Sequence, residues 1–270
     1  MGNVQNLPWY NEHMVTAVVL THNNEKTIGK TLDSLSWCDQ CICIDDNSSD
    51  RTGEIAKKKN ADVYIRPLSD DFAGQRNFGL EKAKGPASPR GEDWVLFVDS
   101  DEIVTEKLRE EIIRHTKYEV RGKKNETKGY FIKRTDVFLG RELRYGETAH
   151  VKLLRLAKKD AGVWVRPVHE YWDVEGPTET LDNPLIHESH TNVAQFIDEI
   201  NTYSTINAAY LRKQGVTSTV FAIIAYPTAK FIQNYFFRLG FLDGTRGCMM
   251  AIMMSFHSFL TRAKLYRLRD

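Results

Sequence analysis

The sequence predicts an α/β protein, a mostly parallel sheet with helices on both faces, followed by a helical extension. Short apolar runs alternate with segments of helical spacing, as in Val15-Thr16-Ala17-Val18-Val19-Leu20, Cys41-Ile42-Cys43-Ile44 and Trp94-Val95-Leu96-Phe97-Val98. Nearly continuous apolar strands of this kind belong to sheets buried on both sides. Each run ends in a polar cluster, at residues 21–25, 45–50 and 99–102. In parallel α/β sheets ligands bind outside the carboxyl ends of the strands. Beyond Arg212 the sequence becomes apolar and basic.

The elements follow in order. After the first strand, Thr27, Ile28, Thr31, Leu32 and Leu35 recur at helical spacing. The second strand runs into Asp45-Asp46-Asn47-Ser48-Ser49-Asp50-Arg51-Thr52, whose Ser and Asp residues are natural helix N-caps, so a second βα unit is expected. In this segment Asp45 reads as a strand-end cap or a site residue, and Asp50 and Thr52 as caps. Val63-Tyr64-Ile65 gives a third strand, residues 75–84 a third helix, and Trp94 opens the fourth strand. Val163-Trp164-Val165 and Pro184-Leu185-Ile186 read as later short strands. From 192 to 212 the positions Val193, Phe196, Ile197, Ile200, Tyr203, Ile206 and Tyr210 mark an amphipathic helix. The expected organisation is an N-terminal extension (1–13), a main domain (14–190, in halves 14–102 and 103–190) and a helical extension (191–270).

The 270 residues, 41% hydrophobic, suffice for one such domain and its appendage. Cys38, Cys41, Cys43 and Cys248 lack the paired spacing of a structural zinc site and imply a reduced, cytoplasmic setting. The start Met1-Gly2-Asn3-Val4-Gln5-Asn6 has no basic or apolar leader pattern, and Asn6 stands where a myristoylation signal has Ser or Thr, so no export signal is expected. A formal net charge of +1 hides an asymmetry: from Arg212 onward nine Lys or Arg stand against Asp243 and Asp270. No apolar run there reaches the roughly 20 residues of a spanning helix. The extension is therefore expected to lie on an anionic membrane surface, or else to pack on the main domain or a second subunit. No nucleic-acid-binding motif accompanies the charge, so no nucleic-acid partner is expected.

Asp99-Ser100-Asp101 closes the fourth strand. Side chains two apart in an extended chain share a face, and paired carboxylate oxygens suit Mg²⁺ or Mn²⁺ bridging to nucleotide phosphates. The triplet alone is common. Together with Val18-Val19-Leu20-Thr21-His22-Asn23, Ile44-Asp45-Asp46-Asn47-Ser48-Ser49-Asp50 and Gln75-Arg76-Asn77-Phe78-Gly79, it resembles the nucleotide-sugar half of family 2 inverting glycosyltransferases with the GT-A fold. Gly129-Tyr130-Phe131-Ile132, Val151-Lys152-Leu153-Leu154-Arg155, Pro167-Val168-His169-Glu170, Ile200-Asn201-Thr202-Tyr203-Ser204 and Gly240-Phe241-Leu242-Asp243-Gly244 resemble the bacterial lipopolysaccharide-core β-1,4-glucosyltransferase group. The similarity spans residues 14–269.

That resemblance implies a UDP-sugar donor and Mn²⁺ or Mg²⁺. It implies that Asp46 accepts from the uracil N–H, that Thr21, His22, Asn23 and Glu25 hold base and ribose, and that Arg76 lies at the diphosphate or at Asp99. Asp99 is expected at the ribose and the metal, and Asp101 on the metal. Inversion by direct displacement needs a base on the acceptor side, for which Glu170 is the first choice, with His169 as a metal or phosphate contact and the two roles exchangeable. Asp136 and Glu147 rank lower as bases. Trp164, Tyr171 and Trp172 read as core or as sugar platforms, and His187-Glu188-Ser189-His190 as a polar cluster at a rim. The expected reaction transfers a hexose, glucose in the first place, to a hydroxyl of a membrane-linked glycan such as the lipopolysaccharide inner core, at the inner face of the cytoplasmic membrane. Alternatives are a polyprenyl phosphate or peptide acceptor, or a non-catalytic nucleotide-sugar-binding scaffold.

Overall fold

Seven consecutive buried residues, Val15–Thr21, form β1, the middle of the parallel part of the sheet. The computed structural model describes residues 14–83, 93–117, 126–190 and 192–268; the expected extension 1–13 and most of the charged connection 117–128 lie outside them. β1 pairs in parallel with β2 (Gln40–Asp45) on one side and β4 (Trp94–Asp99) on the other, and β3 (Asp62–Ile65) extends the parallel part beyond β2. Parallel neighbours need crossover connections, which α1 (Ile28–Ser34), α2 (Thr52–Lys58) and α3 (Phe72–Lys82) supply. α3 starts earlier than the predicted residue 75 because the Asp71 carboxylate accepts from the Gly74 N–H and caps it.

β1 is apolar on both faces because both are covered. Val15, Ala17 and Val19 enter one core with Ile28, Leu32 and Leu108, while Val18 and Leu20 enter another with Ile44, Phe97 and Trp164. Trp164 and Trp172 are core residues whose rings stack on each other and meet Phe97 edge-on, whereas Tyr171 is exposed. The cysteines are free thiols, and burial pushes that of Cys43 up to about 12.

Past β4 the chain continues through β5 (Glu102–Val104), α4 (Glu106–Lys117), β6 (Gly129–Phe138), β7 (Arg141–Glu142), β8 (Lys152–Lys158), β9 (Gly162–Val165), β10 (Tyr171–Val174), β11 (Thr178–Thr180) and β12 (Leu185–His190). The strand order is β3-β2-β1-β4-β8-β6-β12-β5. The parallel pattern stops at β4: β8 runs antiparallel to it and β6 antiparallel to β8. β9 and β10 form a separate hairpin.

By packing, the chain divides into one unit of residues up to 133 with 152–186, and a second of 134–151 with 187–270. This division differs from the expected boundary after 190, since 134–151 joins the helices. Phe138 and Leu143 give the reason, being buried with Phe196, Ile200, Met250 and Met253. The second unit contains α5 (Val193–Lys213), capped by Asn192, α6 (Val220–Ile232), capped by Thr219, a π-helical turn at Gln233–Phe237, and α7 (Gly244–Arg267). Among the described residues no helix is long and apolar enough to cross a membrane.

Close packing of α3 on β1 depends on Gly79, where an added Cβ would fall 2.5 Å from Val18 Cγ1. Gly79→Ala is expected to destabilise the fold by about 1–3 kcal/mol through overpacking, read as a lower urea midpoint at unchanged slope.

Candidate active site

The carboxyl ends of β1, β2 and β4 lie side by side, with Leu20 opposite Asp99 and Thr21 opposite Asp45 in register. Their polar termini are tied together by side chains. Asn24 Oδ1 accepts from Thr21 Oγ1, from the His22 N–H and from Ser100 Oγ, so one amide oxygen joins the β1 and β4 tips. Asn23, in the left-handed region at φ 53°, donates its backbone N–H to Ser48 Oγ and accepts at Oδ1 from Ser49. His22 Nδ1 donates to the Asp46 carbonyl at 2.6 Å.

Several predicted roles thereby become distinguishable. Asp45 is buried and accepts from the N–H and hydroxyl of Ser48, a strand-end cap. Asp50 accepts from the N–H and hydroxyl of Thr52, as expected of a capping residue. Asp46 Oδ1 accepts from the Leu68 N–H at 2.8 Å, so one of its oxygens orders the loop after β3. Glu25, expected at the nucleotide, accepts from the N–H and Nε of Arg51.

A second group gathers around Asp99. Arg155 Nη2 donates to Asp99 Oδ2 at 2.5 Å, and Arg76 Nη2 to Oδ1 at 2.9 Å. Arg76 Nε also donates to Glu170 Oε1 at 2.9 Å, across 94 positions of sequence. Glu102 is fully buried, accepts from the Asp99 N–H and lies 3.6 Å from Arg155. Two guanidiniums thus serve three carboxylates, both arginines being nearly inaccessible to solvent.

The elements explain the convergence. Arg155 precedes Leu156, which pairs with Leu96 of antiparallel β8 and β4, and so arrives beside the β4 tip. Arg76 rises from α3 and lies over the rings of Trp164 (4.7 Å) and Phe97 (5.7 Å), a cation–π platform. Asn77 next to it clamps α3 to β9, donating to the Trp164 carbonyl and accepting from the Trp164 N–H, both at 2.9 Å. The loop 166–170 then carries Glu170 back to Arg76. In that loop Arg166 and His169 hold left-handed backbone at φ 72° and 51°, and His169 is exposed. The Phe72 N–H donates to the Pro167 carbonyl and fixes the loop to the start of α3.

Burial works to raise the Asp99 carboxyl, but Arg155 and then Arg76 outweigh it and hold it far below the usual carboxylate range. Arg155, despite burial, is driven further toward its charged form by Asp99 and Glu102. Arg76 Nη1, Arg155 Nε and Glu102 Oε1 are buried without a hydrogen-bond partner among the described residues. Unspent guanidinium donors at a strand-end rim suit an anionic ligand such as a diphosphate.

The expected Asp99–Asp101 metal pair meets a different geometry, because both Asp99 oxygens are taken by arginines. Asp101 lies half-buried at the same tip. Among the described residues no three His, Cys, Asp or Glu side chains gather to cage a cation. That donor set fits Mg²⁺ or Mn²⁺ coordinated by one or two protein carboxylates with water and substrate phosphate completing the shell.

The lower-ranked bases lie in the second unit and are engaged there. Asp136 accepts from His187 at 2.5 Å and pairs with Arg134 at 3.0 Å; burial works to raise its carboxyl, and those two partners outweigh it and hold it low. Glu147 accepts from Lys230 at 2.6 Å and from Asn234 at 3.0 Å. The side chains of Ser189 and His190 lie outside the described residues. Sequence reasoning assigned no role to Arg155, Glu102, Asn24 or Asn77, although all four stand within the motifs or polar clusters it singled out; the signal for Arg155 was a cation inside the apolar run Leu153-Leu154-Arg155-Leu156-Ala157.

Residues 16–122, which include β1 to β4, Arg76 and the Asp99 tip, match the family described as Glycosyl transferase family 2. The chain carries a family 2 glycosyltransferase domain. An uncharacterised glycosyltransferase of Rickettsia typhi is 27% identical over 267 residues, covering 94% of this chain and 87% of that one. The lipopolysaccharide core biosynthesis glycosyltransferase LpsC of Rhizobium meliloti is 25% identical over 260 residues, covering 94% and 92%. Among solved structures, the glucosyl-3-phosphoglycerate synthase of Mycobacterium tuberculosis, determined with Mn²⁺, UDP and glucosyl-3-phosphoglycerate, aligns with a TM-score of 0.49 at 15% identity over 77% of this chain and 82% of that one.

Two outcomes check the charge cluster of this glycosyltransferase. Arg155→Met strands Asp99 and Glu102 and is expected to cost about 3–5 kcal/mol of stability, part of which Asp99→Asn restores in the double variant, read by urea unfolding. Because the folded Asp99 binds its proton more weakly than the unfolded one, its contribution is present above the ordinary value of 3.8 and is lost as pH falls below it. The wild type should therefore lose stability more steeply below that pH than Asp99→Asn, in unfolding curves taken at successive pH.

Proposed function

We propose that this glycosyltransferase moves a hexose, glucose in the first place, from a UDP-sugar to a hydroxyl of a membrane-linked glycan such as the lipopolysaccharide inner core, with inversion at the anomeric carbon. The observation that carries the reading is Arg76, whose guanidinium bonds Asp99 on the donor rim and Glu170 on the β9–β10 loop, each at 2.9 Å. A direct displacement needs a donor-binding group and an acceptor-side base fixed relative to each other, and one rigid side chain spans both here.

In this reading Thr21, His22, Asn23 and Asp46 form the wall for base and ribose, with the β1 and β2 loops locked by the contacts described above. Asp99, ionised between two arginines, faces the ribose. The unspent Nη1 of Arg76 donates to the diphosphate. Asp101 would hold Mn²⁺ or Mg²⁺, which when bound offsets negative charge on the departing diphosphate. Glu170 takes the proton of the attacking hydroxyl as the new C–O bond forms and the anomeric bond to UDP breaks; Arg76 engages its Oε1 and orients the carboxylate. His169, exposed beside it, contacts phosphate. The membrane-linked acceptor, and a place on the anionic inner face of the cytoplasmic membrane, are supported by the apolar and basic stretch after Arg212 and by the similarity to LpsC.

A donor screen with and without Mn²⁺, reading UDP release as purified membrane glycolipids are added, tests the reaction directly. Glu170→Gln is expected to lower turnover by roughly 10²- to 10⁴-fold while UDP affinity by calorimetry holds. Near-normal turnover would instead indicate an acceptor already ionised, such as a polyprenyl phosphate. Asp101→Asn is expected to weaken UDP binding in the presence of Mn²⁺ and to leave it unchanged without the ion.

A further inference from the structure

α6 has no buried residue, although its sequence Val-Phe-Ala-Ile-Ile-Ala-Tyr-Pro-Thr-Ala-Lys-Phe-Ile is almost wholly apolar. Val220 and Phe221, then Ile224, Thr228 and Ile232 recur at helical spacing as one exposed stripe, with Phe221 at 80% and Ile224 at 65% exposure. The polar member of the stripe, Thr228, returns its hydroxyl to the Ile224 carbonyl. The π-helical turn that follows adds Phe236 and Phe237, the latter 81% exposed. Contiguous apolar surface of this kind marks an interaction site.

The charges around it choose the partner. Between residues 200 and 268 the chain has one acidic side chain, Asp243, and its carboxylate accepts from the backbone N–H groups of Arg144 and Tyr145. α6 and the turn after it therefore carry no acidic side chain that would oppose phosphate head groups. Five of the nine basic residues counted in the sequence are occupied within this unit: Lys230 on Glu147, Arg238 on Asn234, Arg246 on the Leu139 carbonyl, Arg262 over the Tyr226 ring at 3.9 Å, and Lys264 on Asn201. Arg212, Lys213 and Arg267 stay exposed near helix ends. The expected basic face is thus thin, while the apolar face is broad.

We propose that α6 and the π-helical turn insert into the interface of a lipid bilayer, and that burial of Phe221, Ile224 and Phe237, rather than attraction to anionic lipid, holds the protein there. This rests on the reading of the protein as a membrane-surface transferase and specifies the contact. Interfacial binding scales with the apolar area buried plus the attraction to anionic lipid, and here the first term dominates.

Flotation of the full chain with phosphatidylcholine vesicles, and with vesicles that also contain phosphatidylglycerol, at low and high salt tests it. Binding to both, kept at high salt, is expected. A Phe221→Ser/Phe237→Ser variant should bind about a hundredfold more weakly, and Phe221→Trp should show blue-shifted emission on neutral vesicles. Binding confined to anionic vesicles and released by salt would overturn the proposal. So would unchanged binding by the double variant, or a lipid-free dimer in sedimentation that the double variant abolishes, which would make the occupant a second copy of this chain. Transfer to detergent-dispersed glycolipid is measured in parallel. Transfer without vesicle binding overturns the insertion alone, and vesicle binding without transfer overturns the reaction alone.

Discussion

Holding two buried guanidiniums against the carboxylates of Asp99, Glu102 and Glu170 is the constraint around which the first unit is organised. An isolated buried charge is prohibitive, and an ion pair recovers the loss only when geometry and remaining hydrogen bonds are good. Asp99 meets that condition through Arg155 at 2.5 Å and Arg76 at 2.9 Å, with its own backbone N–H given to Glu102. Those partners come from α3, β8 and the segment after β4. The cluster cannot form unless all three are docked, so it ties the parallel half of the sheet to the antiparallel half.

The same arithmetic of charge shapes the chemistry. Three carboxylates share two cations, and buried donor atoms on both arginines remain unspent. A site of this kind is poised for an anion, since a diphosphate supplies the acceptors those donors lack. Arg76 also joins the β4 tip to the loop before β10, through Asp99 and Glu170. Its stacking on Trp164 and the Asn77 clamp fix its position, so Glu170 is oriented by a rigid group as well as by its anchored loop. Preorganisation of this sort lowers the reorganisation needed when the reacting atoms come together.

The parallel half was legible because its strands are buried on both faces and read as unbroken apolar runs. The antiparallel half was less so. β6 crosses from one packing unit to the other, and its sequence Gly-Tyr-Phe-Ile-Lys-Arg-Thr-Asp-Val-Phe changes character on the way. Of the site, Asp99, Arg76 and Glu170 were named from motifs and are found in one cluster. Arg155, equally close to Asp99, was passed over because a lone cation in a strand carries no spacing signal. Glu25 accepts from Arg51 across the loop, a partner that its place in the first motif does not announce. The basic tail was counted correctly as composition, yet composition does not show that Lys230, Arg246, Arg262 and Lys264 find partners within their own unit.

What the sequence determined by itself is local: which runs form strands, where helices begin, and that polar groups end the strands of one sheet. These follow from periodicity and capping, which act over a few residues. Tertiary structure decided which charges neutralise which, because Arg76 and Glu170 lie 94 positions apart and Arg155 reaches Asp99 across 56. Electrostatic pairing depends on distance in space and on exclusion of water, and neither is set before the sheet and the β9–β10 hairpin have closed around the site.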